Sequence, residues 1–214
     1  MKRREFSLAT AVGLMGLPAT GIYAQARKPD SGADYLVLDK PAPVETAAGK
    51  IEVVEFFWYK CPHCNVFEPA LEAWIKRLPP DVSLRRVPVG FRDDFAPLQR
   101  LFYALEAMGQ LDKLHARIFA AIHVQKKPLD TAPQIAEWAA EQGVDKAKLM
   151  EQYNSFSVST KVTKATQLQN LYRVEGVPAL GVAGRFYTDG TLSKNMDRAL
   201  QTVDFLIGEV RAKR

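Results

Sequence analysis

Cys61 and Cys64, in the run Cys61-Pro62-His63-Cys64, are the only two cysteines in the 214-residue chain. Thiol–disulfide exchange needs three things: a thiolate, a second thiol within bonding reach, and a stabilised leaving group. A C-x-x-C pair at the start of a helix supplies all three. The unpaired backbone N–H groups and the dipole of the first turn favour a negative sulfur at Cys61. One helical turn on, Cys64 is close enough to bridge. His63 between the sulfurs and Lys60 beside them add polarity and positive charge, which further favours the Cys61 thiolate and the reduced form. A disulfide whose reduced form is so favoured is a strong oxidant.

Other uses of the pair fit less well. A structural staple this short closes a very small loop and removes little entropy from the unfolded chain. A closed zinc site wants four ligands. Besides Cys61, His63 and Cys64, only His115 and His123 remain as further histidine candidates. Both fall in a distant helical stretch, where they read as surface or packing residues. No metal and no cofactor is expected.

The elements that must position the motif are legible around it. Tyr35-Leu36-Val37-Leu38 reads as a short first strand. Ile51-Glu52-Val53-Val54-Glu55-Phe56-Phe57 is a β-rich, nearly continuous apolar run, the signature of a buried central strand. After the motif, Val66, Phe67, Ala70, Leu71, Trp74, Ile75 and Leu78 recur at helical spacing, with Pro69 expected to kink the helix and Pro79-Pro80 to end it. The cysteines therefore sit where a strand gives way to a helix. Val82 to Val89 reads as another strand.

From Asp93 to Arg173 the periodicity is helical, in five stretches. Thr131-Ala132-Pro133-Gln134 has the form of a capping box opening the third. Strand signals return at Ala179–Val182 and Arg185–Tyr187, with Ala183-Gly184 as a hairpin turn. Met196 to Ile207 makes a last amphipathic helix. This order predicts an α/β sheet domain interrupted by an all-helical one. Residues 27–92 and 174–214 form the first and residues 93–173 the second.

Residues 1–26 read as a secretory signal peptide. Met1-Lys2-Arg3-Arg4 is a basic start, Phe6 to Leu17 a short apolar run, and Ala24-Gln25-Ala26 a small-residue cleavage site. The apolar run is too short for a membrane span. Composition is that of an ordinary globular protein, 47% hydrophobic and 25% charged, with a formal charge of +5. No basic stripe with interleaved aromatics implies nucleic acid.

Glu-Phe-Phe before Cys61-Pro62-His63-Cys64, Phe67-Glu68 after it, and Val177-Pro178-Ala179 and Asn195-Met196-Asp197 further on resemble the DsbA family of periplasmic disulfide oxidases. That family is itself the standard illustration of a strongly oxidising dithiol with an acidic cysteine. The resemblance implies a thioredoxin fold with an inserted helical domain. It implies a cis Val177-Pro178 bond, beside which an extended substrate would add as a strand. It also implies a buried acid, Glu55, beneath the second cysteine, with Glu68 and Arg86 in the same cluster. Without the resemblance, Glu55 reads equally as a strand residue reaching solvent, as Glu52 is expected to do.

The expected site is thus Cys61, Pro62, His63, Cys64 and Glu55, with Val177 and Pro178 contacting substrate and a Cys61–Cys64 disulfide in the oxidised form. The expected setting is the periplasm. The chain would act there as a monomer on reduced exported proteins and be reoxidised by a DsbB-like, quinone-linked membrane oxidase. Two departures from the family pattern, Lys60 and Pro88, bear on redox poise and substrate preference. Trp58 and Tyr59 read either as substrate-facing or as packing aromatics. Alternatives to an oxidase are a reductase or isomerase, a thiol-based metal carrier, and a folding helper that only binds peptides.

Overall fold

The computed structural model describes residues 27–213, so the expected signal peptide lies outside the described residues. The sheet has five strands in the order β1-β5-β4-β2-β3: β1 (Leu36–Val37), β2 (Ile51–Phe57), β3 (Val82–Pro88), β4 (Ala179–Val182) and β5 (Phe186–Asp189). β2 and β3 pair in parallel, whereas β2–β4, β4–β5 and β1–β5 are antiparallel. β2 lies inside the sheet, between β4 and β3, and all seven of its residues are buried. That accounts for its nearly continuous apolar character, which a strand covered on one face only would not need.

The β4–β5 turn has the geometry a tight hairpin demands. Ala183 and Gly184 both have positive φ, 52° and 65°, and the Arg185 N–H donates to the Val182 carbonyl at 3.0 Å. Glycine is required at 184 twice over, because a Cβ there would come within 2.2 Å of the Ala42 carbonyl oxygen.

Helix α1 (Pro62–Ile75) follows β2 directly and continues through Pro69. It ends a turn before Pro79-Pro80. Five helices lie between β3 and β4: α2 (Ala96–Ala107), α3 (Leu111–His123), α4 (Ala132–Glu141), α5 (Lys146–Tyr153) and α6 (Phe156–Leu171). A 3₁₀ turn at Asp93–Phe95 leads into them. Thr131 and Gln134 form the expected reciprocal capping box on α4. Helix α7 (Met196–Ala212) closes the chain, capped by the Asn195 side chain on the Arg198 N–H. Among the described residues no helix is long and apolar enough to cross a membrane.

Two apolar cores result. One packs β2 and β4 against α1 and α7 through Ile51, Val53, Leu71, Trp74, Val203 and Leu206. The other joins Phe56, Phe57, Tyr59 and the two cysteines to Phe102, Leu114 and Phe119 of the helical block. The motif is therefore built into the seam between the sheet and the inserted helices.

Candidate active site

Cys61 is the N-cap of α1, with Pro62 at the first helical position, where its missing N–H costs no hydrogen bond. The cap side chain is a sulfur. The backbone N–H of Cys64 donates to Cys61 Sγ at 3.2 Å. The thiol in turn faces the Val177 carbonyl oxygen at 3.3 Å. The Val177-Pro178 peptide bond, which leads into β4, is cis. Both cysteines are buried and unlinked, so this is the dithiol form; the expected Cys61–Cys64 disulfide belongs to the oxidised form.

The two thiols are pushed apart in proton affinity. A hydrogen bond from the Cys64 thiol, helped by the backbone N–H groups of Cys64 and His63 and by the charge of His63, outweighs burial and lowers Cys61 from 9.0 to about 6. Burial pushes the Cys64 thiol far up, and so do the hydrogen bond it gives to Cys61 and the negative charge gathered at Cys61 and Glu55. At neutral pH the pair is one thiolate and one thiol. His63 itself is exposed. The Lys60 ammonium is ion-paired with Asp130, in the loop before α4.

A buried acid cluster lies near enough for the Glu55 charge to bear on Cys64. Glu55 is fully buried, and one oxygen accepts from Arg86 Nε at 3.1 Å while the other has no partner. The Arg86 guanidinium also donates to Glu68 at 2.8 Å and to Glu72 at 2.6 Å. Three carboxylates share one cation. Burial and the neighbouring charge of Glu68, opposed by Arg86, raise Glu55 from 4.5 to about 8. For Glu68 burial pulls upward, but the His115 ring and Arg86 outweigh it and hold the carboxyl below its ordinary value.

One expectation from the sequence fails here. Glu52 does not reach solvent: it is 2% exposed, bonded to Arg85 at 3.2 Å and to the Glu45 N–H at 2.9 Å. His115 and His123 pack against Phe119 and also take polar partners. His115 is buried, with Nδ1 2.7 Å from the Tyr59 hydroxyl and Nε2 3.3 Å from Glu68. His123 Nε2 lies 2.8 Å from the Tyr59 carbonyl oxygen. The signal was present. His115 falls four residues after Leu111, three before Ile118 and seven before Ile122, on the apolar stripe of α3, and a histidine there must find buried partners.

Tyr59 is fully buried and packs; Trp58 is half-buried and stacks on Phe95 with ring centroids 4.0 Å apart. Beside the motif a cleft of about 440 Å³ is lined by His63, Val177, Pro178, Asp189, Thr191 and Met196 among others. Among the described residues no group of three or more His, Cys, Asp or Glu side chains is gathered closely enough to hold a metal ion.

Comparison with known proteins meets this geometry. Residues 52–201 match the family model of the DSBA-like thioredoxin domain. The thiol:disulfide interchange protein DsbA of Burkholderia cepacia is 44% identical over 207 residues, covering 97% of this chain and 98% of that one. Its namesake in Pseudomonas aeruginosa PAO1 is 40% identical over 90% of each chain. Among solved structures, Pseudomonas aeruginosa DsbA superposes with a TM-score of 0.81 at 40% identity, covering 85% of this chain and 94% of that one. The oxidoreductase DsbA of Xylella fastidiosa superposes with a TM-score of 0.82 at 31% identity, covering 87% of this chain and all of that one.

Proposed function

The chain belongs to the DsbA family of thiol:disulfide interchange proteins, and from that membership we propose that it introduces disulfide bonds into exported proteins in the periplasm. It is a thiol:disulfide oxidoreductase with an α/β thioredoxin-like fold. In our reading, residues 27–92 with 174–214 form the thioredoxin-like domain and residues 93–173 the inserted helical one.

The resting enzyme carries the Cys61–Cys64 disulfide. A substrate thiolate attacks Cys61 Sγ, forming a mixed disulfide, and Cys64 leaves with the electron pair. Its burial favours the neutral thiol over the thiolate, so it takes up a proton. Glu55, at about 8, holds one at neutral pH and is the donor we assign. A second substrate thiolate then attacks the substrate's own sulfur and expels Cys61 as a thiolate. The substrate has lost two electrons to form its disulfide, and the enzyme has gained them as a dithiol. Val177 and Pro178 hold the extended substrate against the motif by strand addition. His63 and Pro62 complete the electropositive helix start. A DsbB-like, quinone-linked membrane oxidase then restores the disulfide, and the enzyme works as a monomer.

One observation carries this reading: two unlinked thiols sit one helical turn apart, with the Cys61 sulfur capping α1 and accepting the Cys64 N–H at 3.2 Å, an arrangement that favours the Cys61 thiolate. A stabilised Cys61 thiolate favours the reduced protein, hence an oxidant rather than a reductase. The test is the Cys61–Cys64 equilibrium in graded glutathione buffers, read by thiol trapping. The pair is expected to stay reduced until the buffer is strongly oxidising. A pair that stays oxidised in strongly reducing buffer would overturn the oxidase reading. Cys61→Ser is expected to abolish turnover, and Cys64→Ser to accumulate mixed disulfides with substrate.

A further inference from the structure

We propose that Asp34, in the segment ahead of β1, is a positioning residue for substrate: it clamps one wall of the cleft beside the motif in the form that an extended peptide meets. This rests on the reading above that Val177 and Pro178 hold such a peptide, since both line that cleft.

The cleft is lined by two stretches of chain. Residues 176–178 stand with His63 at the motif, and residues 189–191 and 194–196 come from the connection between β5 and α7. That connection is a tight turn. The Asp189 carboxylate accepts from the Thr191 and Leu192 N–H groups at 2.9 and 2.8 Å and from the Tyr187 hydroxyl at 2.7 Å. The Asp189 carbonyl accepts from the Ser193 N–H at 3.0 Å. These bonds shape the turn from within. Asp34 ties it from outside. Its carbonyl oxygen meets the buried hydroxyls of Thr188 and Ser193, at 2.7 and 3.0 Å, one on either side of the turn. Its carboxylate accepts from Arg198 Nε at 3.1 Å, in the first turn of α7. One residue thus grips the wall at its start, at its end and in the helix that follows.

Asp34 is itself firmly held. It is 4% exposed, and its second carboxylate oxygen accepts from Arg27 Nη2 at 2.7 Å and from the Asp30 N–H at 2.9 Å. Arg198 Nη2 also donates to the Arg27 carbonyl at 2.6 Å, which closes a ring of Arg27, Asp34 and Arg198. Next to it, Tyr35 stands edge-on to Phe186 of β5 at 5.8 Å and tilted against Phe205 of α7 at 6.4 Å. Removing a buried carboxylate leaves its donors unpaired, so this segment is costly to lift away. None of these groups takes part in the exchange of sulfurs. What they fix is the shape of the cleft. A wall held in place before the peptide arrives does not have to be ordered when it binds, and that entropy is not lost from the binding free energy.

The test compares a peptide with a small thiol. Oxidised protein is mixed with rising concentrations of a short reduced peptide bearing two cysteines, and separately with dithiothreitol, which is too small to span the cleft. Reduction of the Cys61–Cys64 disulfide is followed by thiol trapping. In Asp34→Ala the half-saturating peptide concentration is expected to rise roughly fivefold with the limiting rate little changed, the mark of lost binding rather than lost chemistry. Asp34→Asn keeps an acceptor for Arg198 and should recover much of that loss. Arg211→Ala breaks the paired contacts with Asp81 in the last turn of α7 and should leave half-saturation where it is. A value unmoved in Asp34→Ala, raised as much in Arg211→Ala, or matched by an equal loss of rate with dithiothreitol would make Asp34 a general brace and overturn the proposal. If Asp34→Ala does not fold, Ser193→Ala decides. It removes one of the two hydroxyls on the Asp34 carbonyl and should raise half-saturation by a smaller factor; no rise rejects the clamp. Thr191→Trp, which places an indole in the cleft, tests the underlying reading. An unmoved value there means that substrate lies elsewhere and overturns the Val177 and Pro178 assignment with the proposal, whereas a rise there without one in Asp34→Ala overturns the clamp alone.

Discussion

Glu52 and Glu55 lie three residues apart on β2 and so point to opposite faces of the sheet. Both are buried, and each meets an arginine from β3, Arg85 or Arg86. On the Glu52 face both carboxylate oxygens are satisfied, one by Arg85 and one by the Glu45 N–H. Arg85's other carboxylate, on Glu45, is largely in solvent. On the Glu55 face two buried carboxylates and a half-exposed one compete for Arg86, and Glu55 keeps an oxygen with no partner. Same strand, same residue types, same depth: the difference is one carboxylate too many. A buried acid with its donors complete is structure. A buried acid in excess must hold a proton near neutrality, and that is chemistry.

Removing the cations should separate the faces most sharply. Arg86→Met strands Glu55 and Glu68 together and is expected to cost about 3–5 kcal/mol at pH 7. The loss should shrink at lower pH as the carboxylates take up protons. Arg85→Met leaves Glu52 its backbone donor and should cost less, about 1–3 kcal/mol. Urea midpoints of the two variants at pH 7 decide this, and equal losses would erase the distinction between the faces.

Removing the acids should give effects of opposite sign. Glu55 has its folded proton affinity raised, to about 8 from 4.5, so its ionisation costs the folded state progressively as pH rises between those values. Gln does not titrate. Glu55→Gln should therefore gain stability over the wild type as pH goes from 5 to 8, by about 1–3 kcal/mol, while its exchange rate falls. Glu52→Gln trades a charge-assisted acceptor for an amide and should lose about 1–2 kcal/mol at both pH values, with the glutathione equilibrium unmoved. A stability loss at pH 8 in Glu55→Gln would mean that Glu55 is held as firmly as Glu52.

Much of this architecture can be read from the chain. The buried strand, the helix opened by Cys61-Pro62, the Ala183-Gly184 hairpin and the Thr131 capping box all rest on contacts within a few residues, and local pattern carries them. Glu52 and Glu55 look alike for the same reason: β-periodicity assigns them to opposite faces but is silent on what covers each face. Glu52 finds its donors on Glu45 and Arg85, and the latter is set beside it by strand pairing. His115 meets Tyr59 across 56 positions of sequence and Lys60 meets Asp130 across 70. Such pairings follow from how the helical block docks on the sheet. A histidine and a lysine read in isolation therefore pass for a packing residue and a free charge.

The Lys60–Asp130 pair offers the smallest effect and the closest check on why the Glu55 face is so strong. It too puts charge beside a reactive group, but its side chains are 24% and 55% exposed. Exposed pairs interact weakly because water and salt screen them. Asp130→Asn frees the lysine, though Asp94 remains close enough to feel its charge. The released charge should lower the Cys61 affinity below about 6 by only a few tenths of a unit, a shift that fades in high salt. Titrating the ultraviolet absorbance of the thiolate at low and high ionic strength measures it directly. A full unit, insensitive to salt, would mean that an uncompensated charge acts as powerfully at the rim of the site as beneath it. Burial would then no longer explain why the proton donor is assigned to Glu55 and the rim charge of Lys60 is given only a minor part.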